Sequence, residues 1–359
     1  MGDPGRLEEG GARGAPLSIN PKPAKDQATA VPNPSTMQTA AKQGDQDLPV
    51  TIPEEKHLRE TQELTADVMK YRVENGRTYH GFKEHLRYVL PNDESEKRRL
   101  DVQHYLTYLT LEGRLYLCPA GRDRPIRTCL DAGTGTGSWA LEFAQEHPDT
   151  EVIGIDISPI QPEYVPPNVC FQIDDVEDDW NYDEPFDFIF CRMLTGAIAD
   201  WTRFFKQSFA NLEPGGWCEV QDIVAPIQCS DGTLDPDSPL ATWSRDLLRA
   251  TQLAGRGIDG AKLYKRQMEE AGFVNVKEEI FIWPQCPWAD DDYYRMLGRW
   301  ADVAITGGLE SLSTALFTRH LGWKKAELDV YLTQVRKQMR DRGVHAYWTI
   351  YMVYGQKPE

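Results

Sequence analysis

Five short apolar runs, separated by polar or glycine-rich turns, set the rhythm of the middle of this chain: 127–130, 151–156, 169–173, 185–191 and 217–223. Apolar runs of this length, without strict alternation, read as strands buried on both faces. Amphipathic stretches lie between them, at 138–146 with Trp139, Leu141 and Phe143 in the apolar positions, and at 200–211. Strand and helix in alternation imply an α/β fold with a parallel, doubly wound sheet. Two more strands are predicted at 272–283 and 347–355. The segment between them holds three amphipathic stretches, near 292–305, 309–317 and 325–342, where a hairpin would need only a few residues.

Outside this rhythm the pattern differs. Residues 54–119 read as helical, with Leu100, His104, Thr107 and Leu111 on one face, Tyr105, Leu106 and Leu109 widening it, and Asp93-Glu-Ser-Glu96 as a helix start. Residues 225–260 leave the sheet, with a helix near 241–254. Residues 1–53 contain no aromatic residue and are rich in Pro, Gly, Ala and polar residues, so this segment is expected to be a disordered tail. The expected organisation is therefore a tail (1–53), an N-terminal helical segment (54–119), a core sheet (120–283), a helical insertion (284–346) and a final core strand (347–359). Trp288, Trp300 and Trp323 in that insertion fit either a lid over a substrate or helices that complete a core or dimer interface.

The candidate chemistry sits where the first core strand ends. Leu130-Asp-Ala-Gly-Thr-Gly-Thr-Gly137 places a carboxylate, Asp131, ahead of a turn built on Gly133, Gly135 and Gly137, which lets backbone approach a ligand without an intervening Cβ. The same residues read from Gly135 fit the dinucleotide pattern through Gly137 and Ala140, with Asp156 placed for a ribose hydroxyl. A nicotinamide-dependent reductase is thus the rival reading. Charge separates the two. A pyrophosphate favours bare amides and is repelled by a carboxylate at the turn's entrance, whereas a cationic, phosphate-free nucleoside is not. The second strand ends in Asp156 and the third in Asp174-Asp175-Val-Glu177, so three successive strands carry acids to the edge where open α/β sheets bind ligands.

Composition narrows the partners. A formal net charge of -17 over 359 residues argues against direct nucleic-acid binding, which needs clustered Lys and Arg. The seven cysteines show no C-x-x-C spacing and read as buried thiols in a reducing compartment, neither disulfides nor metal ligands. No apolar run approaches the roughly 20 residues of a membrane span, and no apolar signal core or basic, acid-poor transit pattern opens the sequence. The expected location is cytoplasmic or nuclear, without membrane association or secretion.

With these motifs in view, the chain resembles the class I S-adenosylmethionine-dependent methyltransferases and, within them, the fungal LaeA-like methyltransferases. The resemblance spans 71–358. Besides the glycine turn it rests on Tyr71-Arg-Val-Glu-Asn-Gly-Arg-Thr-Tyr-His80, Pro91-Asn-Asp-Glu94, Ile157-Ser-Pro-Ile-Gln-Pro162, Val165-Pro-Pro-Asn168, Asp200-Trp201, Pro214-Gly-Gly-Trp217, Glu270-Ala-Gly-Phe273, Phe317-Thr-Arg319, Gly322-Trp323 and His345-Ala-Tyr347. It implies a Rossmann-like, seven-stranded sheet with the last strand antiparallel, and S-adenosylmethionine as cofactor. By motif matching, Asp131, Gly133, Gly135 and Gly137 would carry the methionine end, Asp156 the ribose together with Ile157, and Asp175 with Val176 the adenine. Ala132 departs from the bulkier aliphatic residue of many relatives and bears on packing rather than chemistry.

Methyl transfer is an in-line displacement in which the cofactor supplies the electrophile, so the protein chiefly aligns the reactants and excludes water. A base is needed only for a hydroxyl or protonated amine acceptor. Candidates are His80, Tyr79 and His345, then His104, Asp222 and His320, though a lone histidine is more often structural than catalytic. Tyr71, Arg72, Tyr79 and His80 precede the sheet in a segment able to fold across a cofactor. No Asn-Pro-Pro-Tyr motif is present, which favours oxygen, carbon, sulfur or amine acceptors over nucleobase nitrogen. The expected activity is methylation of a small molecule in fungal secondary metabolism. The alternative is a regulator of secondary metabolism acting in the nucleus with a protein partner.

Overall fold

A computed structural model describes residues 70–83 and 88–359; the expected tail at 1–53, and the first part of the expected helical segment, 54–69, lie outside them. The first elements correct the helical expectation for the N-terminal segment. Arg72–Glu74 (β1) and Arg77–Tyr79 (β2) pair as an antiparallel hairpin. Its turn residues Asn75 and Gly76 both have positive φ, 51° and 76°, which is the tight-turn geometry an Asn-Gly pair supplies. The helix that follows, Glu94–Thr110 (α1), starts where expected: Asp93 caps it by accepting a hydrogen bond from the Glu96 amide at 3.1 Å.

The core then runs Thr128–Ala132 (β3), Ser138–Glu146 (α2), Glu151–Asp156 (β4), Val169–Ile173 (β5), Phe186–Arg192 (β6), Trp201–Ala210 (α3) and Leu212–Gln228 (β7). Pro239–Leu253 (α4), Tyr264–Ala271 (α5) and Val274–Pro284 (β8) follow. β7 is longer than the expected 217–223 because Leu212, before the Pro-Gly-Gly turn, already pairs with Phe186. Between β8 and the last strand, Tyr347–Gln356 (β9), lie Asp292–Ala301 (α6), a π turn at Asp302–Thr306, Leu309–His320 (α7) and Lys325–Met339 (α8). The expected helix at 325–342 ends three residues early, at Met339.

Among the described residues the sheet has seven strands in the order β5-β4-β3-β6-β7-β9-β8. β3 runs parallel to β4 and β6, while β9 runs antiparallel to both of its neighbours, β7 and β8. This is the expected sheet with its last strand antiparallel. β6 shows why a continuous apolar run marks a central strand. Phe188 and Phe190 enter the core on one face; Phe186, Ile189 and Cys191 enter the core on the other. Trp139 of α2 stacks on Phe190 with ring centroids 3.8 Å apart, which seats α2 directly behind the glycine turn. The strand order reverses around β3, with β4 on one side and β6 on the other, and a crevice opens at such a point. No helix among the described residues is long and apolar enough to cross a membrane.

Candidate active site

The turn after β3 is held almost wholly by its own neighbours. The amides of Gly133 and Thr134 both donate to the Ile155 carbonyl at 2.9 Å, and the Gly137 amide donates to the Thr134 carbonyl at 2.9 Å. The Gly135 amide donates to Asp156 Oδ2 at 2.8 Å, while Asp156 Oδ1 accepts from Ser158 N at 2.9 Å. A pyrophosphate site needs free amides at this turn, and these four are already engaged. That geometry disfavours the dinucleotide reading. The glycines do different work within it. Gly133 has φ +77°, and a Cβ there would lie 2.5 Å from Leu194 Cδ2; Gly137 has φ +82°, and a Cβ there would lie 2.4 Å from the Phe171 ring.

Three cavities meet at Gly133. One is lined by Asp156, Ile157, Asp175, Val176, Ala197 and Ile198. A second is lined by Asp131, Thr134, Gly135, Ser138, His104 and Arg192. The third, largely apolar, extends beneath the inserted helices among Ile223, Trp243, Leu247, Trp283, Ile305, Leu312, Leu316 and Trp348. Gly133 lines all three, Tyr88 and Leu194 line the first and third, and Met193 lines the second and third.

The acids at the strand ends differ in their surroundings. Burial raises the Asp131 carboxyl to about 6, against a hydrogen bond from Thr134 Oγ1 at 2.6 Å and the nearby Arg192 guanidinium, both of which lower it. Burial likewise raises Asp156 to about 6, against the backbone amides that favour its ionised form. Asp175 is paired: Lys83 Nζ lies 3.1 Å from its Oδ2 and also contacts Asp178, and the Glu177 amide donates to its Oδ1 at 3.0 Å. Lys83 therefore sets a positive charge against Asp175 that strand patterning does not reveal.

The base candidates are scattered. Of them only His104 lines one of the three cavities. His104 Nδ1 receives a hydrogen bond from Arg192 Nη2 at 2.6 Å, and its Nε2 lies 2.9 Å from Glu142 Oε2. Burial, the largest influence, lowers the imidazole below its ordinary value and the Arg192 guanidinium to about 10. The guanidinium carbons of Arg72 and Arg319 lie 5.4 and 4.9 Å from the Tyr79 ring centroid. His80 is buried beside Tyr88, and burial lowers it. Asp222, raised to about 7 chiefly by burial, accepts from the Tyr264 hydroxyl at 2.7 Å and the Thr195 amide at 3.0 Å. His345 pairs with Asp231 at the surface, and His320 is the last residue of α7. Among the described residues no cluster of three or more His, Cys, Asp or Glu is arranged for a metal ion, and all seven cysteines are free thiols.

Comparison with known proteins matches residues 90–278 to a methyltransferase-domain family. The chain is 39% identical over 296 residues to methyltransferase pytC of Aspergillus terreus, covering 82% of this chain and 90% of that one. It is also 37% identical over 263 residues to a probable methyltransferase, tdiE, of Emericella nidulans, covering 73% and 82%. Its identity to the secondary metabolism regulator LAE1 of Cochliobolus heterostrophus is 35% over 292 residues, covering 80% and 95%. The chain belongs to the LaeA-like class I methyltransferases. S-adenosylmethionine is the methyl donor of this LaeA-like enzyme, and the site's chemistry fits it: a glycine at the junction of the cavities, carboxylates at the strand ends and turn amides that are already bonded. Two residues of this LaeA-like site escape strand patterning. Arg192 is the last residue of β6, one position past the apolar run, and Leu194 packs over Gly133 from the loop beyond it.

Proposed function

We propose that the protein methylates a predominantly apolar small molecule held beneath its inserted helices. What supports this is the meeting of three cavities at Gly133. A donor with its adenosine in the first and its amino acid in the second has its sulfur at the junction, facing the third. In this reading Asp175 and Val176 border the adenine, Asp156 and Ile157 the ribose, and Asp131 with Arg192 the ammonium and carboxylate of the methionine end. Asp156 can serve both turn and ribose because an ionised carboxylate offers about four acceptor sites. When bound, S-adenosylmethionine supplies an electrophilic methyl group.

The residues of the chain supply position and exclusion. The Asp156 bond to Gly135 fixes the turn against β4, and Gln161 Nε2 holds the Gly135 carbonyl at 2.6 Å from the other side. Asp101 of α1 accepts from Thr136 Oγ1 at 2.8 Å and Ser138 Oγ at 3.1 Å, tying α1 over the turn. Trp243, Trp283 and Trp348 with α7 enclose the third cavity, so an acceptor placed there is shielded from water, which matters for an in-line displacement.

A second reading follows from the identity to a secondary metabolism regulator: the same site acts within a regulatory complex that includes a protein partner. Comparison of metabolites from deletion and parent strains separates the two. A single product lighter by one CH₂ group supports the enzyme; simultaneous loss of many unrelated metabolites overturns it in favour of the regulator.

A further inference from the structure

Most polar groups around the third cavity have partners. Trp243 Nε1 donates to Ser313 Oγ at 2.9 Å, and Trp283 Nε1 donates to Thr110 Oγ1 at 2.7 Å. Arg99 grips one oxygen of Glu96, Oε1, through Nε at 2.9 Å and Nη2 at 2.8 Å, and reaches Gln103 Oε1 through Nη1 at 2.6 Å. Thr195 Oγ1, in the loop after β6, is one exception; the others lie in the segment leading into α1, in α1 and in β9. Glu96 Oε2, Asn92 Oδ1, Asn92 Nδ2 and Trp348 Nε1 have no hydrogen-bond partner, and their residues are only 1%, 4% and 3% exposed. All three residues line the apolar cavity, and none lines the two cavities read as holding the donor. Buried polar atoms are bonded as a rule, and several orphans among the residues lining one cavity mark where a ligand completes the network.

We propose that Glu96 and Asn92 are the specificity-determining pair of the acceptor cavity, and that the acceptor is a neutral or cationic, largely apolar ring compound presenting an O–H or N–H to Glu96 Oε2. This rests on the reading of the third cavity as the acceptor's. A carboxylate oxygen only accepts, so Oε2 demands a donor and repels an acidic acceptor. Arg99 fixes the carboxylate because its two donors occupy Oε1 and leave Oε2 without a partner. The Asn92 side chain offers both a donor and an acceptor, and its backbone N–H donates to the Thr78 carbonyl of β2 at 2.8 Å. The hairpin thus holds one member of the pair and α1 the other. The aromatic and aliphatic walls receive the ring system, as apolar pockets with a few placed polar groups do.

The test compares indole with 1-methylindole, which keeps the ring and removes the N–H, by ligand-observed NMR titration of the full chain, with S-adenosylhomocysteine affinity measured in parallel by calorimetry. Wild type is expected to bind indole about tenfold more tightly, the size of one hydrogen bond to a charged acceptor. In Glu96→Gln, Arg99 still requires the oxygen, so the free position becomes an N–H donor; the preference should fall below roughly threefold or reverse. Asn92→Ala should weaken indole binding while S-adenosylhomocysteine affinity stays unchanged in both variants. Equal binding of the two probes to wild type, binding of neither, or an unaltered preference in Glu96→Gln overturns the assignment. Loss of S-adenosylhomocysteine binding in Glu96→Gln also overturns it, by moving the residue to the donor's side. Wild type that fails to bind S-adenosylhomocysteine instead sinks the donor reading itself.

Discussion

Asp156 at the end of β4 accepts a hydrogen bond from the Gly135 amide at 2.8 Å, joining residues 21 apart in sequence. One carboxylate thereby holds the shape of the turn at the end of the neighbouring strand. Asp156→Ala removes this bond and the one from Ser158, and is expected to weaken S-adenosylhomocysteine binding by about 2–4 kcal/mol and lower the melting temperature. Asp156→Asn keeps one accepting oxygen and should fall between the two. Calorimetric titration and thermal melts of the three proteins check the order; equal affinities in all of them contradict it.

Gly133 and Gly137 should fail in different ways. A side chain at Gly133 meets Leu194 at the junction of the cavities, so Gly133→Ala is expected to abolish donor binding in addition to the stability it costs through its positive φ. At Gly137 the obstacle is the Phe171 ring packed against the sheet, so Gly137→Ala should act on the fold, at about 1–3 kcal/mol, from overpacking together with a positive φ. Denaturant unfolding alongside ligand titration tells binding loss from fold loss.

The two buried acids give opposite pH dependences for stability and for binding. Asp131 and Asp156 are raised to about 6 by burial, above their ordinary value of 3.8. The folded state therefore holds protons that the unfolded state has released, and this contribution to stability, full below the unfolded value, is lost as pH rises through about 6. Donor binding needs the ionised forms to meet an ammonium and ribose hydroxyls. Affinity for S-adenosylmethionine should accordingly rise between about pH 5 and pH 7.5. A flat affinity profile across that window, measured by calorimetry, counts against ligation by these two carboxylates.

Filling the third cavity should spare the donor. Leu316→Trp places a larger ring in space lined by α7, with an overpacking cost of about 1–3 kcal/mol. Methyl transfer to the acceptor is expected to fall steeply while S-adenosylhomocysteine affinity is retained. Parallel loss of both, in a protein that still melts cooperatively, would mean that the two cavities are not separate functional compartments.

The sheet was largely legible from apolar runs because a central strand buried on both faces leaves a continuous signature, as in β4 and β6. The N-terminal hairpin was legible too, in Asn75-Gly76, but three-residue strands carry too little alternation to outweigh a helical pattern around them. The acids at the strand ends could be read because topology alone carries strand ends to one crevice. Arg192, Glu96 and Asn92 could not. Their importance lies in which cavity they border and whether a partner is present, and both depend on how α1, β2 and the inserted helices pack over the sheet. Lys83 was hidden for the same reason, since nothing in its own segment points to Asp175.

The most direct test of the central claim is a crystal structure of the full chain with S-adenosylhomocysteine. The sulfur is expected at Gly133, the adenine against Asp175 and Val176, the amino acid end between Asp131 and Arg192, and an open path from the sulfur into the cavity bounded by Trp243 and Trp348. A ligand bound elsewhere, or a sulfur turned away from that cavity, would contradict it.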